Sequence, residues 1–161
     1  LPNQQHMFFE LTRYLKQKQL PTALCVVHLN RIQALVGLIG QERVNHMLKD
    51  IGTTLKRHSR SSSIVGKLKG SNDYAIICPG VDQQAAQAIV DRLYTAICKN
   101  HVFETDTGVQ WEQTAGISCM MLSDYNLTAT QLMDMAIAKA STPAPHQLHG
   151  NITTDNDRQA G

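Results

Sequence analysis

Apolar and polar positions along this chain switch repeatedly between helical and strand periods, and the switches mark out its elements. Met7, Phe8, Leu11 and Leu15 recur at helical spacing behind Asn3, whose side chain suits a helix cap, and Pro21 closes that segment. Ala23 to Leu29 then runs apolar without a break over the length of a strand, a pattern that fits a central strand covered on both faces. Arg31 to Leu38 reads as a helix broken near Gly40. A longer helix follows across Val44, Met47, Leu48, Ile51 and Leu55, with Arg43, Lys49, Asp50 and Lys56 turned outward.

Further along, Ser63 to Lys69 and Tyr74 to Cys78 are strand-like runs separated by Gly70, Ser71, Asn72 and Asp73, and the second stops at Pro79-Gly80. Such residues tolerate positive φ or bond their own backbone, so the stretch predicts a β-hairpin. Asp82 caps a helix with Ala86, Ile89, Val90, Leu93 and Ile97 on one face. His101 to Trp111, with Asp106-Thr107-Gly108 as a turn inside it, and Gln113 to Met121 read as strands. Thr128 caps a last helix through Leu132, Met135, Ala136 and Ala140, which must stop before Pro143 and Pro145. The middle of the chain therefore runs strand, helix, strand, strand, helix, strand. That is the ferredoxin-like order of an α+β fold, an antiparallel-rich central sheet with helices packed on one face. Residues 1–149 form one domain on this reading, and the polar stretch 150–161 is a linker or disordered tail.

Composition narrows the function classes. The chain has 161 residues and a net charge of +2 from 15 Lys and Arg against 13 Asp and Glu, well mixed, so it carries no basic stripe of the kind that announces nucleic acid. No apolar run approaches the roughly 20 residues of a membrane span, and the first residues lack a signal-peptide pattern. The expectation is a soluble, cytoplasmic domain without direct membrane contact. Cys25, Cys78, Cys98 and Cys119 lie in apolar runs with no close pairing in sequence, and are expected to be reduced, buried thiols. His6, His46, His58, His101, His146 and His149 show no metal-ligand spacing and read as incidental. No metal and no cofactor is called for.

The turn Gly70-Ser71-Asn72-Asp73-Tyr74 resembles the signature of the GGDEF family of diguanylate cyclases, with one glycine, the second acidic letter and an aromatic kept. Leu1-Pro2-Asn3 resembles the second half of that family's leucine-threonine-glycine-leucine-proline-asparagine motif. The resemblance implies a nucleotidyl-cyclase-like elaboration of the ferredoxin-like fold. It also implies a larger protein, with a sensor before this domain and a phosphodiesterase domain of the EAL type after it.

Joining two GTP molecules into cyclic di-GMP requires metal ions that neutralise triphosphate charge, and such hard cations take carboxylate and carbonyl oxygens. By the resemblance, these come from the end of the first strand and from the acidic letters of the turn. Here the strand ends His28-Leu29-Asn30 in place of two aspartates, the first acidic letter is Asn72, and Asp73 alone is kept. The guanine-reading positions are Val36 and Asn45, and the expected lysine after the first strand is Gln33. In the last helix the family's alanine-aspartate, tyrosine and alanine-lysine pattern stands as Ala136-Ile137, Ser141 and Pro143-Ala144, with Lys139 nearby. The product-inhibition stretch is Arg60-Ser61-Ser62-Ser63, an arginine without its aspartate.

The apolar scaffold is thus kept while the charged positions are neutralised. The reading is a catalytically inactive GGDEF domain serving as a regulatory or interaction module in cyclic di-GMP signalling, its partner a neighbouring EAL-type domain or another signalling protein. A second reading is a sensor that binds GTP weakly near Lys69 and Asp73 without turning it over. A third is an active cyclase with His28 on a softer metal.

Overall fold

A computed structural model of the chain describes residues 1–18 and 20–142. Its elements are α1 (Gln4–Gln17), β1 (Thr22–Leu29), α2 (Ile32–Ile39), α3 (Gln41–Arg57), β2 (Ile64–Lys67), β3 (Asp73–Pro79), α4 (Gln83–Asn100), β4 (Val102–Glu104), β5 (Gln110–Glu112), β6 (Ala115–Met121), a 3-10 turn over Leu122–Asp124, and α5 (Ala129–Ser141). The main sheet has the order β2-β3-β1-β6 and every pairing in it is antiparallel. This is the expected arrangement of strands, with helices flanking the sheet.

The unbroken apolar run of β1 explains why that strand lies inside. Ala23, Cys25, Val27 and Leu29 face one core, built with α2, α3 and α4, while Leu24 and Val26 face a second core built with α1 and α5. Successive side chains of a strand point to opposite faces, so a strand apolar at both parities needs cover on both. Helices therefore pack on both faces, not on one as the element order suggested. The difference is α1 and α5: Met7 and Leu11 of α1 are fully buried against the second face together with Leu132, Met133 and Ala136 of α5.

Local chemistry sets the ends. Asn3 accepts from the His6 N–H at 2.9 Å and Asp82 from the Ala85 N–H at 2.8 Å, so both expected caps form. Thr128 closes a capping box with Gln131: its hydroxyl accepts from the Gln131 N–H at 3.2 Å, and the Gln131 side chain accepts from the Thr128 N–H at 3.0 Å. Thr128→Ala removes one half of that exchange. It is expected to cost about 1 kcal/mol, read as a shift of the urea midpoint at unchanged slope.

Two boundaries differ from the pattern. The strand expected to reach Lys69 ends at Lys67; Gly70 takes a φ of +74° and the Lys69 N–H donates to the Gln4 side chain instead of continuing the ladder. The strand expected from Gln113 begins at Ala115, while the run 101–111 divides at its expected turn, Asp106-Thr107-Gly108, into β4 and β5, a separate two-stranded sheet. Of its residues Trp111 is buried and Phe103 is half-buried against the same core, while Val102, Glu104, Gln110 and Glu112 are exposed, so these two aromatic side chains tie the hairpin to the core. The expected domain boundary at 149/150, and with it Pro143-Ala144, lies outside the described residues.

Candidate functional site

The register of β1 against β3 sets His28 directly opposite Asp73, so the last turn of the central strand and the hairpin turn meet. The imidazole Nδ1 lies 2.7 Å from Asp73 Oδ1. Asp73 is 3% exposed. Burial alone would raise its carboxyl, but hydrogen bonds from His28 and Ser71 and the charges of His28 and Lys67 outweigh that and hold it below the usual carboxylate range. An ionised carboxylate can only accept, so Nδ1 of His28 carries the proton in this bond.

The neighbouring positions serve the backbone. The Leu29 N–H donates to the Asn72 carbonyl at 3.2 Å, and Lys67 Nζ donates to the Ser71 carbonyl at 3.0 Å, which pins both sides of the turn. Asn30 turns away toward β6: its Nδ2 donates to Thr114 Oγ1 at 2.9 Å and its N–H to the Thr114 carbonyl at 3.0 Å. Gln113, fully buried, donates to the Asn30 carbonyl at 2.8 Å and accepts from the Trp111 indole at 3.1 Å. Arg31, with a φ of +56°, lays its guanidinium 4.5 Å from the Trp111 ring centre. These partners of the strand end were invisible in the sequence, where Trp111, Gln113 and Thr114 read only as strand residues.

A hard divalent cation seeks several carboxylate and carbonyl oxygens. The donor set here is one carboxylate already bonded to an imidazole, with Asn30 committed to Thr114, and among the described residues no three His, Cys, Asp or Glu side chains converge on one point. The residues present do not fit the magnesium chemistry of a cyclase.

On the opposite face of the sheet from His28 and Asp73, Tyr74 is buried and donates its hydroxyl to the Leu48 carbonyl at 2.7 Å. Burial pushes the phenol up. Beside it a cavity of about 960 Å³ opens between α3 and the hairpin, lined by Leu1, Asn45, Leu48, Lys49, Gly52, Thr53, Lys56, Arg57, Lys67 and Tyr74. Four cations and no carboxylate line it. Of the guanine-reading positions, only Asn45 does; it accepts from Gln41 at 2.9 Å. Val36 packs against the core and Gln33 is exposed. Neither Asp73 nor Lys69 lines this cavity, against the placement expected for a GTP site; Lys69 lines a smaller one of about 550 Å³ with Asn3, Gln4, Gln5, Phe8 and Lys67. Lys49 and Arg57 were missed because they sit in the polar pattern of a solvated helix face.

Arg60 lies apart from both groups. Its guanidinium donates to the Gly80 carbonyl at 3.4 Å, and Arg92 of α4, which sequence reading did not single out, donates twice to the His58 carbonyl at 3.1 and 3.2 Å.

Residues 1–142 match the family described as diguanylate cyclase, GGDEF domain. Among solved structures, the diguanylate cyclase SiaD of Pseudomonas aeruginosa, solved in complex with its activator SiaC, is similar with a TM-score of 0.74 at 16% identity, over 86% of this chain and 53% of that one. This chain therefore spans about half the length of SiaD. The FimX GGDEF domain of the same organism gives 0.70 at 21% identity, over 86% and 85%. A diguanylate cyclase/phosphodiesterase from Caldicellulosiruptor saccharolyticus gives 0.70 at 19%, over 88% and 82%. At these identities the likeness is one of fold. No curated protein matches the chain.

Proposed function

The chain belongs to the GGDEF domain family of diguanylate cyclases, a family of cyclic di-GMP signalling, and within it we propose that this domain has given up turnover and acts as a regulatory or interaction module. The observation that carries the reading is the His28–Asp73 pair: the one acidic residue kept among the expected metal positions is spent on a hydrogen bond that closes the hairpin onto β1. His28, Asn30 and Asn72 offer no fixed negative charge beside it. Val36 presents no polar group to a base edge, and a site that reads a base by hydrogen bonds loses heavily when one partner is missing.

The partner we propose is a neighbouring domain of a longer chain, a phosphodiesterase of the EAL type, or a separate signalling protein. Two relatives support this: SiaD is held in complex with an activator, and the Caldicellulosiruptor protein is a diguanylate cyclase/phosphodiesterase. No helix among the described residues is long and apolar enough to cross a membrane, and we place the domain in the cytoplasm.

One observation favours a second reading, a GTP sensor without turnover: the cation-lined cavity beside Tyr74. Titration calorimetry with GTP, with and without magnesium, separates the two. The inactive-module reading expects no heat at millimolar GTP and no cyclic di-GMP on prolonged incubation. Heat that disappears in a Lys56→Glu, Arg57→Glu double variant would move the assignment to the sensor, and product formation would overturn both.

A further inference from the structure

Cysteines that the sequence keeps far apart are brought together by the sheet. In the β1–β6 ladder Cys25 stands directly opposite Cys119. The Asn30 N–H donates to the Thr114 carbonyl at 3.0 Å, one step beyond the Leu29–Ala115 pair in the same register. The even-numbered residues of β1 are therefore the ones bonded to β6, and Cys25 and Cys119 occupy a non-hydrogen-bonded position. There the Cα atoms approach to about 4.5 Å, within the roughly 4.4–6.8 Å over which two cysteines can be bridged without backbone movement.

Both side chains share the face covered by α2, α3 and α4, where Cys25 is fully buried and Cys119 is half-buried at the margin of the same core. Cys78 also faces this core, but in the β1–β3 ladder its opposite is Ala23. It is thus diagonal to Cys25, its Cα farther off than that of the directly opposite Cys119, with the two thiols in hydrogen-bonding reach. Hydrogen bonding to the Cys119 and Cys78 thiols, with burial, pushes the Cys25 thiol well up, so at neutral pH it is a protonated partner and not the attacking thiolate.

We propose that Cys25 and Cys119 are a site of oxidative modification, where a hydroperoxide converts two thiols into a reversible disulfide between the central strand and edge strand β6. The Cys119 sulfur, which reaches solvent, gives up its proton and attacks the terminal oxygen of the peroxide. The O–O bond breaks, the alcohol or water leaves after taking up a proton, and a sulfenic acid remains on Cys119. The Cys25 sulfur then displaces the hydroxyl, which leaves as water with the Cys25 proton, and the S–S bond forms. Two electrons pass from the two thiols to one peroxide. A dithiol reverses the step by exchange. The staple would tie β1 to β6 three residues before His28, so it bears directly on the strand that holds the hairpin.

The test is peptide mapping of the whole 161-residue chain after hydrogen peroxide, with alkylation of remaining thiols and digestion without reductant. The expected result is a loss of about two mass units and one linked peptide joining Cys25 to Cys119, absent after dithiothreitol, kept in Cys78→Ser and lost in Cys119→Ser. A Cys119 that stops at sulfenic or sulfinic acid without a link overturns the proposal. So does a dominant link from Cys25 to Cys78 or from Cys119 to Cys98, or a link that appears only in urea. The mapping of the unsubstituted chain decides alone, so a poorly folding variant does not blunt it.

Discussion

Gly116→Ala is expected to destabilise the domain by about 3 kcal/mol or more. Gly116 lies in β6 opposite His28, and a methyl group built on it would fall on the carbonyl oxygen of Ala140 in α5, with the Ala140 carbonyl carbon at 3.1 Å. The obstacle is helix backbone, which cannot step aside as a side-chain tip can. Overpacking typically costs about 1–3 kcal/mol where side chains can yield, and here α5 as a whole would have to lift off the sheet. That shift would also open the seal made by Leu132, Ala136 and Ala140, all fully buried, and strain the bond from the Ser118 hydroxyl to the Ala136 carbonyl at 2.7 Å. Against a total stability of about 5–15 kcal/mol, such a loss is a large fraction of the whole. Urea unfolding followed by circular dichroism measures it. A midpoint within 0.5 kcal/mol of the parent, on an order-of-magnitude scale for surface substitutions, would mean that β6 and α5 do not approach as described.

How much of this could be read in the sequence depends on the range of the interaction. Caps and helical stripes are local, and Asn3, Asp82 and Thr128 were legible because an N-cap needs only its own first turn. The strand order was legible too, since six elements in a row leave few antiparallel arrangements. What failed was long-range. The cover of the second face by α1 requires knowing that Gly66 leaves room for Met7 and the Pro2 carbonyl to pass close to β2. The juxtaposition of Cys25 with Cys119 depends on strand register, which no spacing between the two reveals. At the site, the sequence supplied the residues and not their partners. His28 read as a lost ligand and Asp73 as a kept one, yet their pairing across the β1–β3 ladder decides what either can do. The cations beside Tyr74 escaped for a plainer reason: Lys49, Lys56 and Arg57 obey the pattern of an exposed helix face, and the cavity exists only once the hairpin is set against α3.

The second large effect concerns Asp73 itself. Asp73→Ala is expected to cost about 2 kcal/mol near neutral pH. A hydrogen bond to a charged group contributes about 1.5–3 kcal/mol, and the lower half of that range applies because His28 is part-exposed and water can reach its freed N–H. The pH dependence separates this cause from simple loss of packing. The folded-state pKa of Asp73 is depressed relative to about 3.9 for a free aspartate, so the unfolded chain binds the proton more readily than the native one. The contribution is therefore fully present above about pH 4, and is lost as the pH falls through the lower, folded value. Asp73→Asn keeps the shape and an acceptor oxygen toward His28 but cannot titrate. The difference in unfolding free energy between the parent and this variant should shrink as the pH falls below about 4. Taking the difference removes the other carboxylates, which titrate in both proteins. A difference that stayed flat down to pH 2 would show that Asp73 gains nothing from being ionised, and with it would go the argument that this carboxylate is committed to the fold. The same two variants bear on function: an interaction module should keep its partner through Asp73→Asn, because the cavity and the outer faces of α3 and the hairpin are left as they were.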